Sequence, residues 1–547
     1  MKSTLCAAMA LVLTAASAAA QTFPRPDYFH QLIYAPRIQR KLSPPKALRQ
    51  FIVNGKLTLT LQDAVKLALL NNTGIAIDQL QINQAQYGLE GAYAPFDPQL
   101  FSQFTSNRNV SPATNTLQGA ATASSLSQQS TTSFSQTFET GTNYSVSFNG
   151  IKGSNNSSFY FLNPFLQSSL GFQVTQPLLR GRGLFANRAP IIIAQRDLAE
   201  SQQNFEAQVS NVLERVISDY WSVVGARENV GVAKSSIGQA QASYEHDKRS
   251  LQLGALSPLD IYQSEAQVAQ VRVNLIQVQY QLKQAQEQLR QDIGADLDPA
   301  LDALDLDLVE NPNPQGQLLT VDPAAALKAA LQKRPELEAL RQQLLADETG
   351  IRFEHNQLLP ALSLSGEYSS NGIGGNELLA GPPVVIIPGG FGDSLSQLFH
   401  FHYPTYGLTV TLNLPIRNHQ AEAALGQATV ARERDLYTVR QEQQAIQLDV
   451  IDAVHQLEEA KLSLDAAKTS RDLAQKNLHA QQEKYRLGTE QVYFVLAAQT
   501  QLATAEDSLV QAEIGYQLAV ASVAHAEGTL LDNYHVQIAP PRQGKQP

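Results

Sequence analysis

Hydrophobic and polar residues alternate with period two at several places in the chain. Tyr406, Leu408, Val410, Leu412 and Leu414 alternate with Gly407, Thr409, Thr411 and Asn413. The same pattern marks Leu362 and Leu364, the set Leu170, Phe172 and Val174, the pair Phe134 and Phe138, and the set Tyr144, Val146 and Phe148. Such alternation predicts strands with one apolar face and one small, polar face. A first strand is expected near 96–107, where Phe101 and Phe104 break the alternation. Elsewhere the period becomes helical. Val271, Leu275, Val278, Leu282, Ala285 and Leu289 are spaced 4-3-4-3-4, and Leu502, Ala505, Leu509, Ala512, Tyr516, Ala519 and Val523 continue a 3-4 rhythm. Phe205, Val209, Val212, Val216 and Tyr220 form a similar stripe, as do Ile446, Val450, Val454, Leu457, Lys461 and Leu464. These stripes predict long helices packed side by side, with alanines allowing close approach. The stretch from Ala186 to Gln252 is expected as one helix of about 100 Å, far longer than an ordinary compact domain accommodates.

The chain also repeats itself. QDAVKLALLNN from Gln62 is followed by Pro98, and AAALKAALQKR from Ala324 by Pro360, so Ala64 to Ala326 and Pro98 to Pro360 are both offsets of 262 residues. Further on, SLQLGALSPLDIYQSEAQVA around Leu253 and Gly254 matches EKYRLGTEQVYFVLAAQTQLA around Leu487 and Gly488. Each half is thus expected to run helix, strands, very long helix, short turn, long helix. The expected organisation is a leader at 1–20, an extension at 21–56, a first repeat at 57–295, a proline-rich linker at 296–322, a second repeat at 323–531 and a tail at 532–547.

Beyond the leader no run of 18 apolar residues exists, so any membrane crossing must use strands. Four strand positions stand out, two per half, and the segment Thr131–Gly150 around the ETGTN turn offers an extra hairpin. Four strands cannot close a wide barrel, and an open edge is not tolerated in lipid. Several chains must therefore pool strands, and three chains of four give twelve, or six strands each if the hairpin joins. Pro177 and Pro415 end the strand pairs, lacking an N–H to donate. Arg180, Arg182, Arg188 and Arg417 gather at these junctions, as a basic collar or as ordinary solvation of an interface. The turns at Leu253–Gly254 and Leu487–Gly488 are expected at the far tips of helical hairpins, with Pro258 restarting the first copy. They serve either as docking points or as simple chain reversals. Among the expected loops, 109–130 is polar, whereas 371–404 carries GPPVVIIPGG, and Val384–Ile387 either rests against lipid or narrows the mouth.

Composition narrows the function classes. MKSTLCAAMALVLTAASAAA reads as a secretory signal cut before Gln21. The single cysteine, Cys6, lies inside it, leaving the exported part without a disulfide or a lipid-bearing cysteine. A net charge of -10 argues against nucleic acid as a partner. No nucleotide-binding loop or catalytic triad stands out, and no cofactor is expected. His400 and His402, in FHFHYP, are two ligands short of a metal site. Asp219, Glu228, Asp292 and Glu506 would either attract cations to a tunnel or face water.

The signal, the duplication, the LQDAVKLALLNN opening, the strand ends QPLLRG and LNLPIRN, and the two LG tips together resemble the outer membrane efflux protein family, of which the TolC channel is the best-known member, over Leu57 to Leu531. The resemblance implies an α+β membrane protein: a homotrimer with a twelve-stranded outer-membrane barrel continued by a periplasmic helical barrel. It implies a passive duct fed by an inner-membrane pump of the RND, ABC or MFS class through a periplasmic adaptor. The adaptor would engage the tips, where Leu253, Gly254, Pro258, Tyr485, Arg486, Leu487 and Gly488 stand here. The first copy lacks a counterpart of Tyr485 and Arg486 and has Pro258 where Val492 stands, so contact would be unequal between copies. A periplasmic coiled-coil adaptor or scaffold would share the helices without needing the strands, and an adhesin would not need the equivalent proline-marked junctions.

Overall fold

The computed structural model describes residues 45–113, 121–157, 160–254, 257–297, 304–314, 316–379 and 385–536. The expected signal with Cys6, most of the N-terminal extension and the tail beyond 536 lie outside the described residues.

The chain opens with a two-residue strand β1 (Ile52–Val53), paired to β2 (Lys56–Leu59), then helices α1 (Leu61–Asn71) and α2 (Thr73–Gly91). Thr60 caps α1 in a reciprocal capping box with Asp63, and the Asn72 carboxamide caps α2 by accepting from the Gly74 and Ile75 N–H groups. Four strands follow: β3 (Gln99–Pro112), β4 (Thr122–Thr137), β5 (Asn143–Asn155) and β6 (Leu162–Pro177). Helix α3 (Gly183–Gln252) is 70 residues long and turns at the LG tip into α4 (Ile261–Ile293). Pro190 lies within the opening turns of α3, so this long helix tolerates a proline near its start.

The linker contributes β7 (Leu306–Leu308), which pairs in parallel with β2. The second half repeats the order with α5 (Pro323–Lys333), α6 (Pro335–Gln357), β8 (Ala361–Leu379), a short β9 (Val385–Ile387), a nine-residue helix α7 (Phe391–Phe399) and β10 (Tyr403–Asn413). It ends with α8 (His419–Arg486), α9 (Val492–Ala526) and α10 (Leu530–Asn533). No helix among the described residues is long and apolar enough to cross a membrane.

The long strands form one antiparallel sheet in the order β10-β8-β6-β5-β4-β3, with β9 added beside β8. One chain therefore pairs six long strands in its sheet, where four, or six with the hairpin, were expected. The Thr131–Gly150 hairpin joins the sheet: it lies within β4 and β5, between β3 and β6. Its alternation was visible, but serines and threonines on both faces of β4 blur the pattern that marks a buried strand.

The helical stripes pack as their spacing predicts. Val209, Val212, Val216 and Tyr220 of α3 meet Leu289 and Ile293 of α4, Leu67 of α1, the small sheet and Leu530 in one equatorial core. Ile446, Val450 and Leu457 of α8 pack on Tyr516, Ala519 and Val523 of α9 and on Ala326 of α5 in another. The cores thus sit at the level where the short helices, the linker strand and the C-terminal turn gather, and the hairpins reach beyond it.

Candidate functional site

Four regions position the residues that matter: the sheet faces, the strand-to-helix junctions, the hairpin tips and a pair of acids at the equator. Across the sheet, Val146 is opposite Phe172, Phe172 opposite Tyr368 and Tyr368 opposite Tyr406. Even-numbered positions therefore share one face, which is apolar at this level across β5, β6, β8 and β10. On the other face Ser147, Gly171 and Ser369 line up, beside Gln173, Glu367 and Gly407. Thr175 and Ser365 join across that polar face through hydroxyls 2.9 Å apart. Phe101 falls on the polar side of β3 opposite Ser133, which is why the alternation failed there.

Pro177 closes β6, and the chain crosses to α3 through a glycine-rich turn. The Leu178 N–H donates to the Leu362 carbonyl at 2.7 Å, the Gly181 N–H to Asn356 Oδ1 at 2.9 Å, and Asn187 Nδ2 to the Gly181 and Gly183 carbonyls at 2.8 Å each. The β4–β5 turn packs on this junction so closely that a side chain at Gly141 (φ +85°) would lie 2.6 Å from the Gly181 carbonyl oxygen. Glu139 of that turn forms an ion pair with Arg188. Arg180 is half-buried, Arg182 stands exposed at the residue before α3 without a capping bond, and Arg417 is exposed beside Pro415 at the second junction. The four arginines therefore share the junction level, and Arg188 has a carboxylate partner there in Glu139.

At the tips, Gly254 and Gly488 take φ of +73° and +72°, the left-handed conformation that ends each long helix. Leu253 and Leu487 are 85% and 69% exposed, Arg486 is ion-paired to Glu483 at 2.7 Å, and Pro258 lies in the turn preceding α4. Tyr485 instead points across to the first hairpin, where its hydroxyl donates to Asp247 Oδ1 at 2.8 Å. Asp247 is fully buried and also accepts from the Ser264 hydroxyl of α4, and His246 stands edge-on to the Tyr485 ring. Burial, and then the bond to Asp247, push the Tyr485 phenol far above its ordinary range. Sequence reasoning missed Asp247 and Ser264. The available signal was an acid placed seven residues after Ala240 and fourteen after Ala233, on a stripe that is otherwise buried and small.

Of the four acids noted in the sequence, Asp219 and Asp292 meet. Asp292 is buried, and neither its Oδ2 nor that of Asp219 finds a donor among the described residues. Burial, then the bond to Asp292 and its charge, raise the Asp219 carboxyl to about 7, against the opposing pull of Arg215. Arg215 Nε lies 3.4 Å from Asp292 Oδ1. Glu228 pairs with Arg227, and burial raises the Glu506 carboxyl against the pull of Arg471. His400 and His402 stack with ring centres 5.6 Å apart, and the described residues hold no cluster of three or more metal-ligating side chains.

A sheet with one apolar and one polar face, continued through proline-marked junctions into helices of 68 to 70 residues, defines an envelope conduit rather than a catalytic domain. The model of the family described as "Outer membrane efflux protein" matches residues 64–295 and 326–529, and the chain belongs to that family. Among characterised relatives, the outer membrane efflux protein BepC of Brucella suis is 23% identical over 372 residues, covering 68% of this chain and 74% of its own. Among solved structures, the Campylobacter jejuni CmeC outer membrane channel superposes with a TM-score of 0.62 at 16% identity, covering 91% of both chains. CusC gives 0.62 at 17%, covering 90% of this chain and 99% of its own, and VceC of Vibrio cholerae gives 0.60 at 14%, covering 86% and 96%. The chain is accordingly an outer-membrane channel of a tripartite bacterial efflux or secretion system, a conduit and not an enzyme, whose long helices extend into the periplasm.

Proposed function

We propose that three copies pool six strands each into one closed barrel, with the polar face lining the lumen and the helices forming a coaxial tunnel. The observation that carries this reading is the two-faced sheet whose outer strands, β3 and β10, are both left with open edges. An open edge in lipid leaves a row of N–H and C=O groups unsatisfied, and pairing β10 of one copy with β3 of the next removes it. Exposed Val273, Ile276 and Tyr280 on α4, and Leu462 and Leu473 on α8, supply apolar surface for the neighbouring copies to cover. Barrels of 16 to 18 strands leave an aqueous channel, so a barrel of this size needs no plug removed to conduct.

The duct is passive. Energy comes from an inner-membrane pump of the RND, ABC or MFS class, handed on by a periplasmic adaptor that docks at the tips around Leu253, Gly254, Pro258, Tyr485, Arg486, Leu487 and Gly488. Exposed leucines at both tips support a protein partner there, since isolated helix turns in water have no need of them. Pro177, Arg180, Pro415 and Arg417 set where strands hand over to helices. The test is single-channel recording of the purified protein in a planar bilayer beside a mass measurement in detergent. A trimer with discrete conductance is expected. A water-soluble species that never inserts would return the chain to a periplasmic scaffold.

A further inference from the structure

We propose that the segment Ile386–His402, built around α7, is a lipid-seated collar. It lies against the outside of the barrel at the cell-exterior edge of the membrane, with outer-leaflet lipid as its partner. This rests on the barrel reading above. The sequence left two roles open for this loop, contact with lipid or narrowing of the mouth, and the placement of α7 chooses between them.

Helix α7 packs on the even-numbered face of the sheet, the face that carries Phe172, Tyr368 and Leu408. The Ser370 hydroxyl donates to the Leu398 carbonyl at 2.7 Å, and the Ser394 hydroxyl donates to the Gly372 carbonyl at 2.9 Å. Ser168 meets Ser394 at 2.6 Å, so Ser168 is the donor in that pair. A Cβ at Gly372 would lie 1.9 Å from the Ser394 carbonyl oxygen, and one at Gly374 would lie 2.4 Å from that of Gly390. The apolar face is therefore notched with glycine and serine at one level, and the helix fills the notch. A helix narrowing the mouth would sit on the opposite, polar face.

The helix is also turned the wrong way for water. Its bonding side chains, Ser394 and Gln397, point into the sheet, with Gln397 Oε1 accepting from the Ile373 N–H at 2.9 Å. Turned outward is Phe399, flanked by exposed Ile387, Phe401 and Tyr403, while the Phe391 ring tip lies 3.3 Å from where a Cβ at Gly150 would stand and so rests on the apolar face of β5. Asp393 is the only charged residue in the helix, and it caps Gly390 N. Exposed aromatics continuous with a lipid-facing band are what an interfacial helix presents to a bilayer.

The level agrees. From Leu362 beside the junction to Gly372 the strand climbs about 33 Å along its axis. At barrel tilt this is about 25 Å of height, the height of the apolar band of an outer-membrane barrel, beyond which aromatic girdles lie. The collar thus sits at the outer girdle and would hold the barrel at a fixed depth.

Four variants of the full chain in a Cys6→Ser background, each with one introduced cysteine, test this: Phe399→Cys and Ile387→Cys on the collar, Leu408→Cys on the apolar face of β10 and Thr409→Cys on its polar face. Each is labelled with an environment-sensitive fluorophore and reconstituted in phosphatidylcholine vesicles whose acyl chains are either brominated or plain. Brominated lipid is expected to quench the collar labels nearly as strongly as the Leu408 label, and iodide to quench them roughly threefold less than the Thr409 label. Iodide quenching at both collar positions equal to that at Thr409, with Leu408 still quenched by lipid, overturns the collar and leaves the barrel standing. A Leu408 label that lipid does not quench overturns the barrel and the collar with it. A bulky thiol adduct at position 399 should leave single-channel conductance unchanged, and a drop would place the helix in the mouth.

Discussion

Ahead of the strands, the helix boundaries of the first half recur 262 residues later. Helix α1, Leu61–Asn71, corresponds to α5, Pro323–Lys333, with caps Thr60 and Asp322, and α2 and α6 begin at Thr73 and Pro335. Beyond the strands the offset is 234: Gly254 corresponds to Gly488 and Gly294 to Gly528, all four in the left-handed conformation. Buried partners follow the second offset, with Val216 at Val450, Val223 at Leu457 and Ala240 at Ala474. The 28 residues of difference between 262 and 234 lie in the sheet, where the first half has four long strands and the second has two plus the α7 segment. A meander can gain a hairpin without moving either end, because β4 and β5 leave and return at the same edge. Helical hairpins have no such freedom, since an insertion rotates every later buried position off the stripe.

The largest effect should come from making the halves alike in strand number. Excising 122–155 removes β4 and β5 and leaves β3 next to β6, which already runs antiparallel to it. If all six strands enter the barrel, the diameter falls by about a third, because it grows roughly linearly with strand number. Polymer exclusion measured from the exterior side should then shift to smaller polyethylene glycols. An unchanged cut-off would mean that the hairpin lies beside the barrel rather than in it.

A smaller effect is expected at the tips, where the halves differ in a buried acid. Asp247 of the first hairpin is a buried acceptor for Tyr485, whereas its counterpart 234 residues on is Gln481. The second hairpin is thus clasped to the first through a charge that only the first supplies. Tyr485→Phe keeps the ring and deletes one bond to a buried carboxylate, a loss of about 1.5–3 kcal/mol. Amide hydrogen exchange near 244–252 should accelerate by about ten- to a hundredfold, given about 1.4 kcal/mol per factor of ten. Equal protection in variant and parent would show that the tips are held by packing alone, through the core of Ala474, Leu478 and Val495.

The sequence made the helices, the duplication and the tips legible because those features depend on spacing, and spacing survives divergence. The stripes through Val271 and Leu502 are the faces the structure buries or half-buries. The sheet was only half legible, because β3 and β4 carry polar side chains on both faces, so alternation no longer separates them from a loop. The seat of α7 was not legible at all. Ser168, Ser370, Gly372 and Gly374 read as weak points in two apolar strands, and only pairing across β6 and β8 shows that they form one notch. Asp247 and the Asp219–Asp292 contact likewise depend on which helices meet, which a single helix's pattern does not state. At the α1–α2 corner the halves solve one problem differently. Asn72 caps α2 and also donates to the Asp292 carbonyl, while its counterpart Arg334 bridges Glu336 and Asp449 and leaves the start of α6 to Pro335.

The smallest effect concerns the acids themselves. At the positions of Asp219 and Asp292, the second half has Ala453 and Ala526, both buried in the second core. The pair therefore adds to the first half a titration that the second lacks. An unfolded aspartate titrates near about 4, whereas burial and the neighbouring Asp292 hold Asp219 at about 7 in the folded chain. Between these values the folded state binds more protons than the unfolded state, so stability is full below the lower value, falls as pH rises through the interval and levels off above the upper one. Asp219 is only partly buried, so screening by water keeps the loss modest. Asp219→Asn supplies an amide that can donate to Asp292 at every pH, and it should reduce the slope of the urea midpoint between about pH 4 and pH 7, with the other raised carboxyls keeping the rest. The double change Asp219→Ala with Asp292→Ala, which copies the second half, should reduce it as well. An undiminished slope in both variants would locate the titrating group elsewhere and leave the two equatorial cores energetically alike.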